Sequence, residues 1–310
     1  MGTFLIAIKT VLPLFLVIFT GFLFSKTKAS SPNWVDILNK YALWIGFPAL
    51  VIISLQSLDF SDGPVFRLIA CNSTYIVCCI LLAYPFSALC RLPNLKRRTL
   101  FLIFAFGNVS YLGIPLLQNV FGDNILPVAA IISAVYLFWL LTLGIILVEV
   151  HGDNNTQPLK IVVGLLKNPL LISIFAGMAL VVFNIELPRV IDKSVRLFAE
   201  SVTAVVLFSL GMFLGFQKKE SWRSWLNPAF FVFITMIFFP AIFYLIMKSG
   251  DLPADYISAS ILDAAMPLGL TPYALSQQYK LDAPFAARLV VLATFLSIFI
   301  LSGWIAVLGI

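Results

Sequence analysis

Long apolar stretches separated by short polar connections run along the whole chain. Each stretch holds about 20 residues, the length that an α-helix needs to cross the hydrocarbon core of a bilayer. The pattern predicts an all-α polytopic membrane protein with ten transmembrane helices and no soluble domain. The predicted spans are residues 4–25, 34–55, 65–89, 99–120, 125–149, 162–183, 194–216, 227–248, 254–278 and 283–309.

Two of these spans are interrupted by polar and helix-breaking residues. The fourth contains GNVSYLGIP at 107–115, and the ninth contains DAAMPLGLTP at 263–272. Lipid cannot satisfy the N–H and C=O groups of irregular backbone, so such segments occur only where they line a cavity or lie buried in protein. Paired interruptions in the two halves of a chain are the best sequence pointer to the binding site of a transporter.

The chain divides into two sets of five predicted spans, 1–155 and 156–310. An odd number of spans in each set means that the second set enters the membrane from the opposite face, which predicts two inverted repeats. Asn108 and Asp263 each lie nine residues inside their spans, or about 13 Å along a helix. In a hydrocarbon core about 30 Å thick, both side chains are expected near the midplane.

The distribution of charge predicts the orientation. Hydrophobic residues make up 61% of the chain and charged residues only 11%. Most of the 20 Lys and Arg residues lie in or beside the connections after the odd-numbered spans, and basic residues near span ends are retained in the cytoplasm. Both termini are therefore predicted to face outside. The net charge of +6 reflects this bias and does not indicate a nucleic-acid surface.

Several polar side chains at the interruptions are candidates for binding a substrate. Asn108 is the strongest, because a carboxamide offers two donors to a carboxylate without placing a charge in lipid; alternatively its amide bonds the freed backbone. Ser110 and Thr271 offer hydroxyls either to a substrate or to their own helices. Tyr111 either stacks on a substrate or packs in the core.

Prolines shape the same region. A proline lacks an amide donor and clashes with the carbonyl four residues earlier, so free carbonyls are expected at Tyr111, Asp263 and Leu268. The helices that begin after each interruption point their N-terminal N–H groups into a common space, which favours an anion and especially a carboxylate. The prolines concerned are Pro115, Pro267 and Pro272.

Asp263 is the candidate for coupling to a proton or a sodium ion. An ionised carboxylate at this depth is costly unless it is paired, bound to a cation or protonated; the alternative is that Asp263 caps the broken helix. Glu200, near the outer end of the seventh span, is a second coupling candidate or an acid that reaches water. Asn168, at the start of the sixth span, either reaches the substrate or caps its helix. Neither a cofactor nor a metal site is predicted.

Five motifs, in order along nearly the whole chain, resemble the auxin efflux carrier family, which includes the plant PIN proteins and bacterial malonate-type carriers. The two interruptions are similar to the Asn-containing fourth span and the Ala-Ala-Met-Pro ninth span of that family. The motifs are GNVSYLGIPLL at 107–117, Lys167-Asn168-Pro169, FNIELP at 183–188, FSLGMFLG at 208–215 and AAMPLGLTPYALSQQY at 264–279.

The resemblance implies a fold in which the fourth and ninth spans cross. It also implies a scaffold of spans 1, 2, 6 and 7 that forms a homodimer, and a mobile domain of spans 3–5 and 8–10 that moves like an elevator. Members of the family carry small organic anions, including indole-3-acetate and dicarboxylates. The long central loop of many plant members is absent from this sequence.

The predicted function is therefore transport of a small carboxylate-bearing organic anion across a cell membrane, with the site at the crossing. One alternative is a sodium-coupled symporter of the bile-acid-transporter type, which requires more acidic ligands than Asp263. A membrane receptor or sensor is the alternative from another class, although the connections hold no effector domain. An intramembrane aspartyl protease needs two facing carboxylates, so no enzyme activity is predicted. The expected partners are the anion, the bilayer and a second copy of the chain.

Overall fold

The computed structural model describes residues 2–55, 64–152, 163, 167, 169–183, 185–217, 225–248 and 252–310. Within these residues every regular element is helical. The α-helices are α1 Gly2–Phe24, α2 Asn33–Tyr41, α3 Phe47–Leu55, α4 Pro64–Leu89, α5 Asn94–Ala105, α6 Ile114–Phe121, α7 Leu126–Trp139, α8 Ile145–Val150, α9 Pro169–Val182, α10 Arg189–Phe216, α11 Leu226–Phe233, α12 Phe239–Met247, α13 Ala254–Ala264, α14 Leu270–Gln278 and α15 Ala283–Leu308.

Shorter helical turns join several of these helices into longer rods. π-Helical turns connect α2 to α3, lead into α6, connect α7 to α8 and connect α11 to α12, and a 3-10 turn leads into α7. The π-helical turns are Ala42–Gly46, Val109–Gly113, Leu140–Gly144 and Ile234–Phe238, and the 3-10 turn is Asp123–Ile125.

Six of the described helical rods are long and apolar enough to cross a membrane, which is consistent with an all-helical polytopic membrane protein. They coincide with the predicted second, third, fifth, seventh, eighth and tenth spans. Two shorter apolar helices, Leu12–Phe24 and Val109–Phe121, belong to the predicted first and fourth spans. The six rods are Asn33–Ile53, Pro64–Leu89, Asp123–Val150, Arg189–Phe216, Leu226–Met247 and Ala283–Leu308.

Proline and aspartate fix the starts of several helices. Pro115, Pro127 and Pro284 lie in the first turns of α6, α7 and α15, where the missing amide donor has no helical partner to lose. The Asp282 side chain caps α15 by accepting a hydrogen bond from the N–H of Phe285 at 3.0 Å. Such a cap satisfies one of the first amide groups of a helix.

Helices α1 and α10 pack backbone against backbone. A Cβ atom added to Gly211 would lie 1.8 Å from the carbonyl oxygen of Ile18, so the approach requires glycine at this position. Small residues serve this purpose in lipid, where the hydrophobic effect does not drive helices together. Ser209 of α10 also donates a hydrogen bond to Asn39 Oδ1 of α2 at 2.8 Å. These contacts join α1, α2 and α10 into one packed group.

The core draws on both halves of the sequence. Its largest fully buried side chains include Phe101 and Tyr136 from the first half and Phe231 and Phe285 from the second. The halves also meet at the end of the membrane helices, where the N–H of Asp282 donates to the Thr99 hydroxyl of α5 at 3.1 Å. This interleaving places the interruption of each half beside that of the other.

Candidate functional site

The two predicted interruptions are real breaks, and they pair with each other. Residues 106–108 separate α5 from the π-helical turn before α6, and residues 265–269 separate α13 from α14. The N–H of Asn108 donates to the carbonyl of Pro267 at 2.6 Å, and a second, longer bond joins the same segments at 3.5 Å. The segments also form an isolated antiparallel β-bridge. Each break thus supplies hydrogen-bond partners for backbone that lipid cannot satisfy.

Asn108 is fully buried, and its side chain has no hydrogen-bond partner among the described residues at either Nδ2 or Oδ1. Its main chain is fully engaged, because its carbonyl also accepts from the N–H groups of Leu112 at 3.0 Å and Gly113 at 2.9 Å. The carboxamide therefore does not bond the freed backbone. Most buried polar side-chain atoms in proteins have a partner, so this amide calls for a functional explanation.

Asp263 lies in the last turn of α13 and is also fully buried. Neither carboxylate oxygen has a hydrogen-bond partner among the residues that the structure describes, so the alternative that Asp263 caps the broken helix is wrong. A Cβ atom added to Gly113 would lie 2.4 Å from Asp263 Oδ1. The carboxylate therefore packs against the glycine that ends the turn after Asn108, which brings Asp263 to the break that contains Asn108.

The expectation of a free carbonyl is wrong at Asp263. Its main-chain carbonyl accepts a hydrogen bond from the N–H of Met266 at 3.2 Å. The chain turns back directly after α13, so a nearby amide replaces the one that Pro267 lacks. The chemistry at this position therefore belongs to the carboxylate side chain.

The remaining predicted residues of the first break lie near Asn108. Ser110 and Tyr111 are buried in the π-helical turn. The Tyr111 ring packs edge-on against Phe47 of α3, with 5.3 Å between ring centroids. Pro115 is buried in the first turn of α6. Tyr111 thus links the break to α3 by an aromatic contact.

The candidates on the second half are more dispersed. Thr271 is partly buried and Pro272 fully buried in the first turn of α14. Glu200 is exposed on α10 and lines a separate cavity of about 610 Å³. Asn168 lies outside the described residues. The described residues contain no group of three His, Cys, Asp or Glu side chains that could hold a metal ion.

Three further buried polar residues lie on α13 or on helices that contact it, and they were not among the candidates from the sequence. Tyr136 belongs to α7, which contacts α13; it is fully buried, and its hydroxyl has no hydrogen-bond partner in the described part of the chain. One turn before Asp263, the Ser260 hydroxyl accepts a hydrogen bond from Asn72 Nδ2 of α4 at 2.9 Å. A polar residue inside an apolar span was an available signal for Asn72. Nothing in the local sequence distinguishes Tyr136 from a packing aromatic.

Broken, paired helices whose buried polar side chains have no hydrogen-bond partners within the described ranges define a helical membrane protein built around a buried polar site. Secondary transporters have this architecture. Residues 6–305 match the family described as "Membrane transport protein", and the chain belongs to that family. This finding confirms the resemblance to the auxin efflux carriers and identifies a transporter rather than an enzyme.

The relatives are distant, and two of the three described here cover nearly the whole chain. A Rhizobium meliloti protein named "Putative malonate transporter" is 22% identical over 94% of this chain and 93% of its own length. An uncharacterized transporter of Methanocaldococcus jannaschii is 22% identical over 97% of this chain and 98% of its own. Auxin efflux carrier component 7 of Arabidopsis thaliana is 26% identical over 37% of this chain and 19% of its own.

Proposed function

We propose that the protein carries a small carboxylate-bearing organic anion, auxin-like or dicarboxylate, through a site at the paired breaks. The observation that supports this most directly is the Asn108 carboxamide, which has no hydrogen-bond partner among the described residues although the N–H and carbonyl of Asn108 are both bonded. Its two N–H donors suit a carboxylate oxygen and bring no charge into the membrane. The names of the relatives favour the same class, because malonate and auxin both carry carboxylates.

The transport cycle proposed is an elevator movement of one domain against another. The chain is interpreted as ten spans in two inverted repeats, 1–155 and 156–310, with both termini outside the cell. Spans 1, 2, 6 and 7 form the scaffold and the homodimer contact, and spans 3–5 and 8–10 move. The antiparallel pairing of the two breaks is compatible with inverted repeats, and the close packing of α1 on α10 suits a rigid scaffold.

Asp263 is proposed as the coupling residue. A buried carboxylate without a partner is stable only as the neutral acid or with a bound cation, so it can exchange a proton or a sodium ion during transport. Glu200 lies in the separate, exposed cavity, and the coupling role is therefore proposed for Asp263 alone. If the protein is a sodium-coupled symporter, Asp263 is the residue that binds the sodium ion.

Counterflow in proteoliposomes tests the substrate site. Labelled malonate and indole-3-acetate are offered to vesicles preloaded with the same unlabelled anion, for the wild type, Asn108→Ala and the control Asn227→Ala, whose side chain is exposed at the start of α11. We expect saturable exchange that Asn108→Ala loses and Asn227→Ala keeps. Exchange that survives in folded Asn108→Ala contradicts the role of this amide, and no exchange of either anion by the wild type contradicts the substrate class.

The coupling role is tested by imposing pH and sodium gradients separately. Asp263→Asn keeps the shape of the side chain but removes the exchangeable proton and the negative charge. Uptake by this variant is expected to lose its dependence on whichever gradient drives the wild type, while the purified variant still binds the labelled anion. An unchanged gradient dependence in Asp263→Asn rules the carboxylate out as the coupling group.

A further inference from the structure

A vestibule opens at one end of the helices, next to the candidate site but separate from it. It has a volume of about 610 Å³, within the usual range of small-molecule pockets. Its wall is formed by α3, the end of α6 with the start of α7, and the first half of α10. The predicted orientation places this end outside the cell. In the proposed elevator, the vestibule lies between scaffold helices and mobile helices.

Charged and polar side chains line the vestibule on two sides. Arg196, Glu200 and Thr203 project from one face of α10, as the helical spacing of three and four residues requires. On the opposite side, Asp123 accepts a hydrogen bond from Gln118 Nε2 at 2.9 Å, and both residues line the vestibule. Within the described lining, Arg196 provides a positive charge beside the carboxylates of Glu200 and Asp123, and its guanidinium is also paired with Asp192.

An aromatic pair connects α3, which lines the vestibule, to the turn that follows Asn108. Leu50 of α3 lines the vestibule, and Phe47 lies one turn deeper on the same helix, edge-on to Tyr111. Tyr111 belongs to the turn that follows Asn108. Leu50 and Phe47 are about one helical turn apart on α3, or roughly 5 Å, and the Phe47 ring contacts Tyr111 with 5.3 Å between ring centroids.

We propose that this vestibule is the outer access site for the transported carboxylate, and that Arg196 contacts the anion before it reaches Asn108. This inference rests on the proposed function. The guanidinium is a good carboxylate ligand because its planar donors match the two oxygens. Arg196 Nε is bonded to Asp192 Oδ2 at 2.8 Å, which holds the side chain in position. Glu200 opposes anion binding and keeps it weak enough for release.

The test compares charge changes of opposite sign on one helix. Arg196→Gln is expected to raise the anion concentration for half-maximal uptake roughly two- to fivefold, the range that exposed charge pairs provide. Glu200→Gln is expected to lower it by a similar factor. Lys193→Gln, an exposed position outside the lining, removes the same charge as Arg196→Gln and is expected to leave uptake unchanged. Maximal rates should stay within twofold for all three variants, and added salt should reduce both shifts.

Occupancy is measured independently of transport by labelling Thr203→Cys with a membrane-impermeant maleimide. Malonate or indole-3-acetate should slow the labelling, and unsubstituted protein gives the background from the native cysteines. Shifts of the same sign in Arg196→Gln and Glu200→Gln, or labelling that neither anion slows, overturn the access site. If the wild type exchanges anions through Asn108 while the vestibule variants behave like wild type, only this inference fails. If the wild type exchanges neither anion, the proposed function fails first.

Discussion

Substituting Gly113 by alanine tests whether the contact between the two breaks matters for transport. The added methyl would lie 2.4 Å from Asp263 Oδ1, whereas ordinary contacts begin near 3.5 Å, so the carboxylate has to move by about 1 Å. Forcing an extra methyl into a packed site costs about 1–3 kcal/mol. The lower backbone entropy of alanine in the unfolded chain offsets about 0.5–1 kcal/mol of this.

The effect on transport should exceed the effect on stability. A displacement of 1 Å in an active site can reduce the rate of an enzyme about 100-fold, and a carrier that aligns Asp263 with its ligand is expected to be similarly sensitive. Gly144→Ala is the matched control. Gly144 also ends a π-helical turn, but a Cβ atom added there would have its nearest neighbour at 3.6 Å, an ordinary contact. Gly113→Ala should therefore reduce counterflow by one to two orders of magnitude, and Gly144→Ala should not.

The assay combines counterflow with thermal unfolding of the same purified variants. The destabilisation caused by Gly113→Ala should largely disappear when Asp263 is replaced by alanine, because the clashing carboxylate is then gone; such non-additivity is what a direct contact produces. Gly113→Ala protein that folds normally and exchanges anions at the wild-type rate would refute the assignment of this contact to the site.

Two further predictions test helix packing by thermal unfolding. Gly211→Ala should lower the free energy of unfolding by about 1–3 kcal/mol, because the added Cβ would meet the Ile18 carbonyl oxygen at 1.8 Å. The control Gly303→Ala, in open space on α15, should raise it by about 0.5–1 kcal/mol. Equal effects of the two changes would contradict the close approach of α1 and α10. Asn72→Ala should cost about 1–3 kcal/mol by leaving the Ser260 hydroxyl unpaired, and adding Ser260→Ala should cost less than the sum of the single changes.

The sequence predicts the class of fold well because its signals are local. An apolar run of sufficient length is enough to predict a membrane helix, and six of the predicted spans appear as long apolar helices. The breaks were also predictable, since glycine and proline weaken a helix wherever they occur. The pairing of Asn108 with Pro267 depends on how two distant segments meet, and no local pattern encodes the 2.6 Å bond between them.

The site was predicted only where a local signal marks a residue. Asn108 and Asp263 are conspicuous because polar side chains at membrane depth are costly. Tyr136 carries no such signal, because a tyrosine in an apolar run is usually a packing residue, and only the fold brings α7 beside Asp263. The error over the Asp263 carbonyl has a similar origin. The missing amide of Pro267 leaves the Asp263 carbonyl free only if no other N–H group reaches it, and the N–H of Met266 does reach it.

The contrast between main chain and side chains at the breaks is the strongest reason to assign them a function. Where the breaks pair, the Asn108 N–H and the Asn108, Pro267 and Asp263 carbonyls are bonded, yet the Asn108 amide and the Asp263 carboxylate have no partners within the described residues. Stability does not explain this combination, since apolar side chains of similar volume at a buried polar position are often neutral or stabilising. If the breaks only had to be packed stably, apolar side chains at positions 108 and 263 would suffice. An amide and an acid held at this position, near the unpartnered Tyr136 hydroxyl, are better explained by a ligand that binds there and leaves again.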